Sequence, residues 1–249
     1  MRLKNKVAII TGAAGNIGLA TARLFAQQEA RLVLVDAKRE MLESACTEFD
    51  PATTLLVAAD VTSPEDTQRT AHEAIGRFGG VDIFFANAGV EGMVQPTNEY
   101  PEDVYDKVMD VNVRGVFLGI KYIAPQLRDG GSVIITSSIM GLAGAPRNIA
   151  YTASKHAVVG LMRSAAGDLA ARRIRVNTVH PGMVDSEMLR RLIDRHPDPE
   201  QRHADLIARI KLGRFVTPTE IGQTVLFLAS DESCMTTGQT FLIDGGYLE

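Results

Sequence analysis

The chain has 249 residues, 45% of them hydrophobic and 22% charged, and a formal net charge of −4. That length and composition suit one globular domain with a large core, while the acidic balance argues against a nucleic-acid binder, which carries a basic excess. No apolar run reaches the roughly 18 residues of a membrane span, Met1–Lys6 lacks the apolar core of a signal peptide, and Cys46 and Cys234 form no close pair, so free thiols in a cytoplasmic, reducing compartment are expected.

In chain order, Val7–Ile10 is a first strand-like run, followed by glycines from Gly12 to Gly18 and a helical pattern over 17–28. Leu32–Val35 ends at Asp36. A helix over 39–49 leads to Leu55–Ala58. Ser63-Pro64-Glu65-Asp66 has the form of an N-cap with Pro at N1, opening a helix to Phe78. Val81–Phe85 is the fourth run. Pro101 opens another helix, and a long helical stretch is expected over 112–127. Ser132–Thr136, a helix over 151–171, Ile174–Val179 and Thr240–Ile243 complete the series. The runs are continuously apolar rather than alternating, as strands covered on both faces are. The expected architecture is α/β: one Rossmann-type, doubly wound parallel sheet of about seven strands with helices on both faces. No linker, repeat or low-complexity tract divides it, so residues 1–249 read as one domain. The polar stretch near 185–212, where Pro197 and Pro199 break two short helical patterns, is a candidate lid.

Two constellations carry chemistry. Thr11-Gly12-Ala13-Ala14-Gly15-Asn16-Ile17-Gly18 joins the first strand to the first helix, where backbone N–H groups can approach a pyrophosphate. Asp36 stands at the end of the next strand, completing the context a dinucleotide site requires. Its carboxylate suits adenosine ribose hydroxyls and repels a 2′-phosphate, which favours NAD over NADP; Lys38 and Arg39 leave NADP open. The plainer account is that the glycines make a turn and Asp36 caps a helix. The second constellation is Tyr151 with Lys155, four apart and therefore on one helix face. A fixed cation favours the phenolate, lowering a pKa that is otherwise near 10, so the pair can serve as a general acid/base. Taken alone it equally fits a half-buried Tyr beside a solvated Lys.

These residues in this order resemble the short-chain dehydrogenase/reductase family, over nearly the whole chain. The matching segments are Thr11–Gly18, Asp60-Val61, Ala86-Asn87-Ala88-Gly89, Val111-Asn112-Val113, Ser137-Ser138, Tyr151/Lys155, Pro181-Gly182 and Asp244-Gly245-Gly246. Ala86 departs from the family's usual Asn. The resemblance implies hydride transfer between NAD(H) and a secondary alcohol or ketone, with a catalytic set of Asn112, Ser138, Tyr151 and Lys155. Tyr151 would exchange the hydroxyl proton, Lys155 would lower its pKa and hold the nicotinamide ribose, Ser138 would orient the substrate oxygen, and Asn112 would position a relay water. It also implies cofactor contacts from Gly12, Gly15, Asn16, Ile17, Gly18, Asp36, Asp60, Val61, Asn87, Gly89, Tyr151, Lys155, Pro181, Gly182, Val184 and Ser186. Glu91, Met93, Met140, Met183 and Met188 would lie near the substrate, although methionines also serve as adaptable core filler. Arg147 is expected to be exposed, and His156 to face away from Lys155.

The five histidines show no metal-site spacing, and no metal is expected. The family implies a homotetramer, or a homodimer, formed through the helices at 112–127 and 151–171. The alternatives are an NADPH-dependent 3-oxoacyl thioester reductase and a catalytically silent cofactor-binding protein; an intact catalytic set disfavours the latter. An enoyl reductase is disfavoured because such relatives space Tyr and Lys more widely.

Overall fold

The computed structural model describes residues 1–194 and 196–249, with every side chain among them except those of Met188 and Leu192. Seven parallel strands form one sheet in the order β3-β2-β1-β4-β5-β6-β7. They are β1 (Val7–Thr11), β2 (Arg31–Asp36), β3 (Thr54–Ala58), β4 (Val81–Ala86), β5 (Leu127–Thr136), β6 (Arg175–Pro181) and β7 (Thr240–Ile243). The order reverses between β1 and β4, the position at which open α/β sheets form their ligand crevice.

The helices are α1 (Asn16–Gln27), α2 (Arg39–Ala45), α3 (Pro64–Phe78), α4 (Glu102–Met109), α5 (Gly115–Tyr122), α6 (Ile149–Leu169), α7 (Glu187–Asp194), α8 (Pro199–Ala208) and α9 (Pro218–Ala229). Successive strand residues point to opposite faces, and each face has its own helical cover. Val7, Ile9, Val33, Phe84 and Val133 pack with Ala74 of α3, Val116 of α5 and Met162 of α6. Ala8, Ile10, Leu34, Phe85 and Ile134 pack with Phe25 of α1, Leu42 of α2 and Val225 of α9. The continuously apolar runs follow from this double cover.

Two boundaries differ from the sequence expectation. The helix placed over 112–127 begins earlier, because α4 and α5 are one continuous helix joined by a wider π-type turn at Asp110–Arg114. It also ends earlier: Leu127 pairs with Val81 and so belongs to β5. The final helix, α9, starts with a reciprocal cap in which the Thr217 hydroxyl accepts from the Glu220 N–H and the Glu220 carboxylate accepts from the Thr217 N–H. Pro218 at N1 sharpens that start.

The stretch after β6 holds two helices, α7 and α8, as the prolines suggested. Leu189, Ile193 and Leu206 form a small core of their own there, with Met183 and Phe215 against it. Its roots are tied: Val184 bridges Val216, the Val216 N–H donates to the Met183 carbonyl at 2.9 Å and the Asp185 N–H to the Val216 carbonyl at 2.8 Å. The far end is held by the C-terminal tail, where the Leu212 N–H donates to the Gly245 carbonyl at 3.1 Å and Arg209 stacks 4.5 Å above the Tyr247 ring.

Candidate active site

In a parallel sheet all carboxyl ends lie along one edge, and every candidate segment sits there. At the end of β1, Gly12 has φ +64, and a Cβ on it would stand 2.9 Å from the Ala88 Cα. A glycine is needed both for the positive φ and for the approach of the β4 end. Gly15 is the N-cap of α1 and no side chain caps that helix, so its first-turn N–H groups have no side-chain cap partner and suit an anion. Gly18 is buried against the Gly12 carbonyl. The Asp36 carboxylate accepts from the Ala14 N–H at 3.2 Å. It does not cap α2, whose N-cap is Lys38 without a side-chain hydrogen bond. Arg39, one of the two cations that left a 2′-phosphate open, is paired with Glu43 at 2.8 Å.

Beyond β2, a crevice is lined by Val35, Asp60, Val61, Ala88 and Val111. The exposed Asp60 turns its carboxylate onto the N–H and hydroxyl of Thr62, both at 2.8 Å. Asn87 is a post under the glycine turn. Its Nδ2 donates to the Thr11 and Gly12 carbonyls at 3.2 Å, its Oδ1 accepts from the Thr136 hydroxyl at 3.0 Å, and its N–H donates to the Thr11 hydroxyl at 3.0 Å. On the other side, Pro181 ends β6 and the Gly182 N–H donates to Ile243 at 2.8 Å. Val184 lies at the bridge to Val216, and the Ser186 hydroxyl accepts from the Leu189 N–H at 3.3 Å at the start of α7.

Tyr151 and Lys155 both lie in the first two turns of α6. Lys155 is 4% exposed, which removes the account of it as a solvated surface residue. Its Nζ donates to the Thr136 carbonyl at 3.0 Å, and the same atom lies 3.4 Å from where a Cβ on Gly89 would be. Burial lowers its pKa to about 8. The Tyr151 phenol shifts the opposite way from the expected lowering. Burial, the largest influence, raises its pKa; the Ser138 hydroxyl pulls it down and the Glu91 carboxylate pushes it up. Desolvation is the largest influence on both groups: it disfavours the phenolate of Tyr151 and the ammonium of Lys155 alike.

Ser138 ends the segment after β5 in an extended conformation, and its hydroxyl accepts from the Met140 N–H at 3.2 Å. Ser137, its competitor in sequence, points elsewhere: its hydroxyl donates to the Lys155 carbonyl at 2.8 Å. Asn112 is 1% exposed and lies in the π-type turn. Its Oδ1 accepts from the Val90 N–H at 2.8 Å, and its Nδ2 donates to the Val90 carbonyl at 2.9 Å and the Ser154 hydroxyl at 3.0 Å. Both amide hydrogens are therefore engaged, and the side chain acts as a clamp between the Gly89-Val90 segment and α6.

Three groups in this framework were not singled out from sequence: the Thr136 carbonyl, Ser154 and His180. A carbonyl carries no residue-type signal, but Ser154, three after Tyr151 and one before Lys155, could have been noticed.

Of the substrate candidates, Glu91 is exposed, and its carboxylate pushes the Tyr151 pKa up. Met93 is 41% exposed, with its N–H on the Tyr100 hydroxyl at 3.0 Å. Met140 adjoins Ser138 through its backbone. Met183 packs against the small core of α7 and α8, the filler role that methionine also suits. The Met188 side chain lies outside the described residues. Arg147 is exposed with φ 66. His156 is exposed, its Nδ1 bonded 3.0 Å from the Thr152 carbonyl.

A family model described as enoyl-(acyl carrier protein) reductase matches residues 12–248. The chain is 38% identical over 250 residues to the 3-oxoacyl-(acyl-carrier-protein) reductase FabG of Thermotoga maritima, covering 99% of each. It is 34% identical to a cyclohexanol dehydrogenase of Acinetobacter sp., covering 99% of this chain and 96% of that one. Among solved structures, levodione reductase superposes with a TM-score of 0.93 at 33% identity, over 98% of both chains. NAD+-bound xylitol dehydrogenase gives 0.92 at 33% identity, over 99% of this chain and 100% of that one. The chain belongs to the short-chain dehydrogenase/reductase family. Within it, the protein is an oxidoreductase acting on a small molecule.

Proposed function

We propose that the protein interconverts a secondary alcohol and its ketone with NAD(H), using Tyr151 as general acid/base. The observation that carries this reading is the burial of Lys155 between the Tyr151 ring and the Thr136 carbonyl. Enclosing an ammonium is costly, and here it lies beside a titratable phenol in the crevice at the sheet's switch point.

The residues fit a dinucleotide. The uncapped N-terminus of α1 offers N–H donors to a pyrophosphate. Asp36 faces the glycine turn, where its carboxylate suits ribose hydroxyls and opposes a 2′-phosphate. With Arg39 engaged by Glu43, NAD is favoured over NADP. Asp60 and Val61 would border the adenine, Asn87 and Gly89 the middle of the cofactor, and Pro181, Gly182, Val184 and Ser186 its nicotinamide end.

A bound nicotinamide supplies the hydride acceptor or donor. In the oxidation direction Tyr151 takes the hydroxyl proton, while Ser138 donates a hydrogen bond to the substrate oxygen and orients it. Lys155 holds the nicotinamide ribose and sets the local charge. Asn112 keeps the Gly89-Val90 segment at a fixed distance from α6. Residues 185–212 form a lid over the substrate. Among the described residues no helix is long and apolar enough to cross a membrane, and a cytoplasmic homotetramer belongs to the same reading through the family resemblance.

The second reading, an NADPH-dependent 3-oxoacyl thioester reductase, is favoured by the similarity to the Thermotoga maritima protein; Asp36 disfavours it. A silent cofactor-binding protein is disfavoured by the presence of all four catalytic candidates. The test is a screen of NAD and, separately, NADP reduction at mildly alkaline pH against secondary alcohols, cyclic diols, sugar alcohols, hydroxysteroids and hydroxyacyl thioesters. NADH formation on one alcohol class, lost in Tyr151→Phe, is expected. Turnover surviving in that variant, or activity confined to NADP and thioesters, would overturn the reading.

A further inference from the structure

His180 is a histidine with no exposed surface, in the penultimate position of β6. Val176 faces the core layer that contains α6, and Val179 faces the opposite layer. The strand alternation therefore places Thr178 and His180 on the α6 side of the sheet. The His180 Nδ1 lies 2.8 Å from the Ser138 carbonyl oxygen, and its Nε2 lies 2.8 Å from the Thr178 hydroxyl. A carbonyl can only accept, so Nδ1 carries the proton and Nε2 accepts from Thr178. Burial, together with the Lys155 and His156 charges, lowers the imidazole pKa, while its bond to Ser138 opposes the shift. The neutral tautomer fits both bonds without placing a second charge in the site.

The segment bearing Ser138 is tied to α6 by the Ser137 hydroxyl, which donates to the Lys155 carbonyl at 2.8 Å. The Ser137 N–H donates to the Val179 carbonyl at 2.8 Å and the Gly141 N–H to the Ser138 carbonyl at 2.8 Å. Among the described residues, His180 is the side chain that bonds the Ser138 carbonyl, beside the Gly141 N–H. The position is fully enclosed, and an apolar residue there would avoid burying a polar ring.

We infer that His180 is a positioning residue for the reaction, its Nδ1–H fixing the Ser138 backbone so that the serine hydroxyl stays aimed at Tyr151 and the substrate oxygen. This rests on the proposed roles of Ser138 and Tyr151. Small displacements of orienting groups cost up to about a hundredfold in rate, so the effect belongs in kcat rather than in cofactor binding.

The experiment is a double-mutant cycle between His180 and Ser138. His180→Leu should lower kcat by about tenfold or more with NADH affinity nearly unchanged. His180→Asn, whose amide can donate from the δ position, should recover most of the loss. In a Ser138→Ala background, His180→Leu should cost little more. A readout independent of turnover is the Tyr151 phenol titration, followed by tyrosine 13Cζ NMR and assigned with Tyr151→Phe. His180→Leu should raise that pKa as Ser138→Ala does, without addition in the double variant, and His180→Asn should restore it. A folded His180→Leu protein with unchanged Tyr151 titration, or fully additive effects in the double variant, would overturn the inference. If no alcohol is oxidised, the function reading fails while the titration still decides the role of His180.

Discussion

The Lys155 Nζ stands 5.4 Å from the centroid of the Tyr151 ring and 3.0 Å from the Thr136 carbonyl oxygen. Lys155 is thus enclosed beside the end of β5 while Tyr151 is half-buried, and desolvation is the largest influence on both titrations. Burial lowers the Lys155 pKa to about 8, and it raises the Tyr151 pKa.

Lys155 should make the protein less stable at neutral pH than it needs to be. An ordinary lysine in the unfolded chain titrates near 10.4, and the folded group near 8. Between these values the unfolded chain binds more protons, so stability should rise with pH across that window. Below pH 8 the cost is fully present, at about 3 kcal/mol. Lys155→Met should therefore be inactive yet melt several degrees higher at pH 7, with the gain shrinking toward pH 10. Thermal melts at pH 7 and pH 10 decide it, and a variant less stable at pH 7 would refute the expectation.

Glu91 raises the Tyr151 pKa through its charge. Removing that charge stabilises the phenolate, so the alkaline limb of the oxidation rate should move to lower pH in Glu91→Gln. The shift should be a fraction of a unit, because the carboxylate is exposed and screened. The pH profile of kcat/KM is the measurement; an upward shift or none would show that Glu91 does not act on Tyr151.

Asp36→Ala removes the carboxylate that faces the glycine turn. NAD affinity should fall by about tenfold, the value of one good charge-assisted hydrogen bond, while NADP affinity rises or stays level. Fluorescence titration with NADH and NADPH measures the ratio. An unchanged ratio would remove Asp36 from the ribose contact.

Asn112→Ala leaves the half-buried Val90 N–H and carbonyl without their side-chain partners. A destabilisation of about 1–2 kcal/mol follows for two half-buried groups, with a larger fall in activity than in cofactor binding. Denaturant melts alongside steady-state kinetics test this. A variant of full stability would mean that the Gly89-Val90 segment is held by other contacts.

The architecture was legible because its signals are local and consistent. Most strand runs are continuously apolar, and the glycine turn, Asp36, Asn87 and Ser138 follow strand ends, while Asn112, Tyr151 and Lys155 lie on helices. What was hidden depends on packing between distant segments. No local pattern announces that the helix of Asn112 continues back to Glu102 through a wider turn, or that Leu127 pairs with Val81. Tyr151 and Lys155 are adjacent on any helix, but the direction of the phenol titration follows from burial, which only the packed site sets. His180 reads as a strand residue until the segment after β5 is placed against it. Met183 has the same limitation: its residue type suits both a ligand wall and a small core.

Among the described residues, the two helices between Val184 and Val216 are tied at a seam between those residues and fastened again at the C-terminal tail. Such a segment can be exchanged as a cassette. Exchanging the corresponding stretch from a relative between these ends would keep the glycine turn, Asp36 and the Tyr151–Lys155 pair in place, while replacing Ser186 beside them.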